Sequence, residues 1–129
     1  MKRLCAVLVA IFLFSFVAPA FALDVDGVLI DVSCYKKDKS NTGVDHRMPQ
    51  ETKDCAIACA KKGQQVGLLT STGEVVLVAG ALAENNNARL WRHMGRKVRV
   101  QGSVSIAPDG QKTVLGGALK RLDTTPASK

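Results

Sequence analysis

The feature that most constrains the fold is the stretch 97–106, where Val98, Val100, Gly102, Val104 and Ile106 alternate with Lys97, Arg99, Gln101, Ser103 and Ser105. A period of two sends one set to a buried face and the other to water, so the stretch predicts a strand that covers a core on one side only. Such a strand belongs to an antiparallel sheet or small barrel, not to a parallel sheet coated by helices on both faces. Pro108-Asp109-Gly110 turns the chain into a last strand, about 112–122, where Gly116-Gly117 permits a bulge or bend. Upstream, 66–70 and 74–79 read as a hairpin joined by Ser71-Thr72-Gly73.

The N-terminal segment is read apart from the fold. Met1-Lys2-Arg3, an apolar run over 4–17 and the small-residue signal Ala20-Phe21-Ala22 have the layout of a secretory leader. The apolar run is shorter than the ~20 residues a spanning helix needs. Residues 1–22 are therefore expected to be cleaved, 23–122 to form a single domain, and 123–129 to be a frayed, flexible tail. A periplasmic or secreted location follows, with no stable membrane insertion after cleavage. The full chain of 129 residues carries a formal charge of +7. Losing Lys2 and Arg3 leaves 16 basic against 11 acidic residues, a net +5. In an exported protein that excess predicts attraction to anionic surfaces; no nucleic acid is expected as partner. At 47% hydrophobic and 22% charged residues the chain is globular, neither disordered nor multi-spanning.

The remaining elements complete the order. A first strand is expected over 25–34, where Val28, Ile30, Val32 and Cys34 share one parity and would place the Cys34 thiol beside three aliphatics. A polar loop follows to Gln50. Pro49, Lys61, Lys62 and Gly63 bracket a helix over 49–62, with Cys55, Ala56, Cys59 and Ala60 as a stripe of small side chains. Asn85-Asn86-Asn87 offers N-caps for a second helix carrying Leu90, Trp91 and Met94 and ended by Gly95. The fold is thus expected to be mainly β with two short helices. The order fits a five-stranded OB-like β-barrel with an inserted helix after strand 1, the Leu90–Met94 helix plugging one end. An open five-stranded meander packed on the two helices is the alternative.

Chemistry concentrates in Cys34, His46, Cys55 and Cys59. Cys55 and Cys59, at i and i+4 on one helix face, have Cβ atoms about 5–6 Å apart. A disulfide wants about 3.5–4.5 Å, so this pair suits a two-point metal clamp better than a bond. Cys34 supplies a third group, and His46 from the loop a fourth. Cys3His is a tetrahedral zinc shell; thiolates, with Met48 near His46, equally suit copper(I). Two other readings stay open. Cys34 can pair with Cys55 or Cys59 as a disulfide staple, making a stapled interaction domain, or the thiols can be redox-active. A second cluster, Arg89, Arg92, His93, Arg96, Lys97 and Arg99, reads as a solvated face or as a surface for an anionic ligand or partner protein. No nucleophile elbow, phosphate-binding glycine loop, His-Glu-x-x-His or Cys-x-x-Cys-His pattern occurs, and the chain is read as a non-catalytic binding module.

Three stretches carry a resemblance: Gly27-x-x-x-Asp31-x-x-Cys34, Cys55-x3-Cys59, and Gly95-Arg-Lys-Val-Arg-Val-Gln-Gly102. Together they resemble a group of small exported bacterial proteins of unknown function, which implies an OB-like barrel with a Cys/His cluster and brings no activity. The C-terminal strand pair alone also resembles exported OB-fold proteins linked to stress tolerance and ligand binding. An OB-barrel haem chaperone is set aside, because its His-x-x-x-Tyr motif is absent: Gln50 follows His46 at that spacing and Lys97 follows His93.

Overall fold

In the computed structural model, residues 22–39 and 50–122 are described, the side chains of 50–53 excepted. The elements are β1 (Leu23–Asp31), α1 (Val32–Lys37), α2 (Gln50–Lys61), β2 (Val66–Leu69), β3 (Val75–Ala79), β4 (Lys97–Ile106) and β5 (Lys112–Arg121). The mainly β class with short helices is as the periodicity implies. Strand β1 pairs with both β2 and β4, β4 with β5, and β5 with β3, so the sheet closes into a barrel in the order β1-β2-β3-β5-β4. All pairs are antiparallel except β3 with β5, which are parallel. A closed sheet leaves no open edge along its paired length. Closure also removes the open-meander alternative.

The interior is filled by alternate residues: Leu29 from β1, Val66 and Leu68 from β2, Val76 and Val78 from β3, Val98 and Val100 from β4, and Val114 from β5. Leu82, Leu90 and Met94, from the connection between β3 and β4, complete this cluster. The alternation expected of β4 therefore holds for Val98 and Val100. It fails at Ile106, which is exposed where β4 runs beyond its pairing with β1. The bulge expected at Gly116-Gly117 is present: Gln101 faces Ala118 while Gly102 faces Gly116, leaving Gly117 without a partner. Glycine is required there by space, since a Cβ on Gly102 would overlap the Leu115 carbonyl, and one on Gly116 would sit 2.6 Å from Leu82 Cδ1.

Two expectations are corrected. The first strand ends at Asp31, so Cys34 lies in α1 and not on the strand. Leu29, of the opposite parity to Val28, Ile30 and Val32, is the residue in the core cluster. Parity misleads there because Leu29, Ile30, Asp31 and Val32 are all buried, so the end of β1 has no wet face to mark. The second helix, expected after Asn85-Asn86-Asn87, does not form as such. Those three asparagines adopt left-handed backbone (φ 52°, 55° and 57°), and Trp91–His93 is a single 3-10 turn. Asparagine tolerates that region better than other non-glycine residues. Leu90 and Met94 nonetheless reach the core as the plug reading requires. Residues 1–21, the segment 40–49 with His46 and Met48, and 123–129 lie outside the described residues.

Candidate metal centre

The switch from β1 to α1 is made by one carboxylate. Asp31, only 3% exposed, is the N-cap of α1: its Oδ1 accepts the Cys34 amide at 2.9 Å and the Ser33 hydroxyl at 2.7 Å. That cap fixes the backbone of Cys34 directly above the end of β1. Its second oxygen, Oδ2, is buried with no hydrogen-bond partner. The Val32 amide donates to the Gln65 carbonyl (3.1 Å), tying the start of α1 to the segment that follows α2.

Helix α2 brings the other two cysteines. Ala56 and Ala60, the small residues of the expected stripe, are buried in the core cluster and let the helix lie close. Its C-terminus closes in a Schellman arrangement: Gln64 N donates to Cys59 O (3.2 Å) and Gly63 N to Ala60 O (2.9 Å), with Gly63 at φ +81°. Asn87, buried, locks this end in place. Its Nδ2 donates to the carbonyls of Ala60 (2.8 Å) and Gln64 (2.9 Å). So the asparagine run acts as a clasp on α2 rather than the start of another helix.

The result is a trio. The Sγ atoms of Cys34, Cys55 and Cys59 all lie within 4.8 Å of one another. All three are free thiols, and no pair is at bonding distance, so the disulfide staple is not formed. Tetrahedral zinc with bonds near 2.3 Å separates its sulfurs by about 3.8 Å, a span this trio reaches by small side-chain rotation. Cys55 is exposed and the other two are half-buried. Burial first, then the neighbouring Asp31 carboxylate, pushes the Cys34 thiol up to about 12. The same two causes, in the same order, raise Cys59. At neutral pH these two groups are thiols, which makes Cys34 and Cys59 poor nucleophiles, because exchange and nucleophilic attack need thiolate. A coordinated cation reverses the balance by displacing the protons.

The basic cluster is less free than its sequence implies. Arg99 forms a bidentate pair with Asp26 (2.7 and 2.8 Å) and lies 3.8 Å from Asp24. Its hydrogen bonds, more than its charge, hold the Asp26 carboxyl below the usual range. Trp91, half-buried against the core, has Lys61 Nζ 4.1 Å and the Arg92 guanidinium 5.1 Å from its ring centroid. Arg89, Arg92 and Lys97 are exposed, and Arg96 is half-buried.

Sequence reasoning named Asp31 and Asn87 but missed their roles, as the cap of α1 and the clasp on α2. Asp31 carries a visible signal, an N-cap residue three positions before the Cys34 amide that it accepts. Asn87 carries none, since its partners are 27 and 23 positions away. No family model matches the chain, and neither a curated protein nor a solved structure matches it. Among the described residues, no helix is long and apolar enough to cross a membrane.

Proposed function

We propose that this protein is an exported, non-catalytic binding module that holds one soft or borderline metal ion, zinc or copper, at Cys34, Cys55 and Cys59. His46, from the segment outside the described residues, is the fourth protein ligand in this reading. The observation that carries it is the meeting of three unpaired sulfurs within 4.8 Å from two separate helices. Three thiols drawn to one point have no packing reason to be there, whereas a thiophilic cation uses all of them. The strand order β1-β2-β3-β5-β4, with β3 parallel to β5, supports an OB-type barrel as the scaffold, with α2 as its inserted helix. The leader-like segment 1–22 supports export to the periplasm or beyond.

Intact mass under native and denaturing conditions, with and without alkylation, tests this reading on protein expressed with its leader. One metal equivalent per chain, and three alkylatable thiols once it is removed, is the expected result. A chain shortened to Leu23 as its first residue is expected as well. One alkylatable thiol with no metal, in freshly prepared protein, would overturn the proposal in favour of the stapled interaction domain. His46→Ala is expected to weaken metal retention; unchanged retention removes His46 from the ligand set.

A further inference from the structure

Beside the three sulfurs stands a charge that the ligand count alone does not use. Asp31 is nine-tenths buried or more, one carboxylate oxygen is committed to the α1 cap, and the other has no hydrogen-bond partner. Its 2.9 Å bond to the Cys34 amide sets the carboxylate at the foot of α1, beside the cluster, in keeping with its raising of the Cys34 and Cys59 thiols. A buried carboxylate with an unused oxygen is costly unless something cationic neutralises it. Among the described residues, no Lys or Arg is hydrogen-bonded to it. The groups bonded to its Oδ1 are uncharged, the Ser33 hydroxyl (2.7 Å) and the Cys34 amide (2.9 Å).

We propose, on the reading that the trio binds a metal, that Asp31 biases the site toward a divalent cation such as Zn2+ and against monovalent copper. Three thiolates and a carboxylate carry four negative charges, of which a divalent ion offsets two and copper(I) one. Coulomb attraction from Asp31 scales with the charge of the ion, so the same carboxylate contributes twice as much to holding Zn2+. The thiolates by themselves favour copper(I) through softness. Asp31 works in the opposite direction. Its role is electrostatic, since its oxygens are not part of the set whose atoms all approach within 4.8 Å.

The test compares Zn2+ and Cu+ affinities of the full protein, measured anaerobically by competition with a chromophoric chelator for each ion. The variants are Asp31→Asn and Asp31→Ser, both of which keep a side-chain oxygen for the Cys34 amide. The readout is the ratio of the two affinities, because easier loss of thiol protons without the carboxylate raises both alike. The preference for Zn2+ over Cu+ is expected to fall about tenfold in both variants and to stay within about twofold in Asp31→Glu. An unchanged ratio in folded Asp31→Asn overturns the proposal, and so does equal weakening of both ions. Failure of the wild-type protein to bind either ion sinks the metal reading itself, a distinct outcome visible before any variant is made. Circular dichroism of each variant establishes that the barrel is intact.

Discussion

At the scale of single residues, the trio makes sharp demands. Replacing Cys34, Cys55 or Cys59 by Ser, one at a time, is expected to reduce metal affinity by more than the about 10–100-fold typical of outer-shell changes. Equilibrium dialysis with zinc checks this, and a cysteine whose loss has no effect is not a ligand. The raised thiols also set a pH dependence. Because Cys34 and Cys59 hold their protons at neutral pH, binding must release at least these two, so affinity falls about a hundredfold for each unit of acidification in that range. The metal-free protein behaves oppositely at the alkaline end. A thiol whose folded value lies above its ordinary 9.0 contributes stability that is complete below 9.0 and lost as pH climbs toward about 12. Thermal melts of metal-free protein are therefore expected to be flat from neutral pH to about 9 and to fall above it.

The elements show how far local patterns reach. Helix α2 was readable from Gly63 and the lysines, and the structure runs from Gln50 to Lys61 against an expected 49–62. The cysteine spacing i, i+4 was enough to place Cys55 and Cys59 on one face. What the local pattern could not supply was the partner that fixes the far end. Asn87 reaches α2 across a left-handed turn, and nothing near position 60 in the sequence announces it. Asn87→Ala is expected to destabilise the protein by about 1–3 kcal/mol, through two lost hydrogen bonds and a left-handed backbone that alanine resists. Asn87→Gly separates the two, since glycine accepts the backbone but makes no clasp. Urea midpoints for the pair measure each share; equal midpoints for wild type and Asn87→Gly would mean the clasp contributes nothing. Cys34 teaches the complementary lesson. Its strand assignment failed because an Asp31 side chain, not a change of hydrophobic period, converts the chain from strand to helix.

For the molecule as a whole, the barrel is the stable body and the thiol corner an attachment to it. Leu68, fully buried in the interior, is expected to cost about 2–5 kcal/mol on replacement by Ala, read as a lower urea midpoint of a still cooperative transition, with the metal affinity of the folded protein unchanged. The Asp26–Arg99 pair sits on the outside with side chains 40% exposed, so Asp26→Ala is expected to shift stability by about 1 kcal/mol or less. Its sign follows from a lowered carboxyl: the contribution is present above the ordinary 3.8 and fades as pH drops through the folded value. Five strands and their rough bounds were legible because β4 and β5 each keep one face wet. Barrel closure was an inference from element order, and it rests on a β3–β5 pairing between residues more than thirty positions apart. The thiol corner joins two points across a shorter stretch, with 20 residues between Cys34 and Cys55. On the proposed reading an ion there closes a ring, and by loop-entropy reasoning a ring of that size is worth about 3 kcal/mol. Chelation would then loosen α1 and the Cys55 end of α2, whose far end stays clasped by Asn87, while amide exchange in the barrel stays slow. The fastening of this corner would be set by the metal content of its surroundings, so the same polypeptide would be tight in one environment and ajar in another.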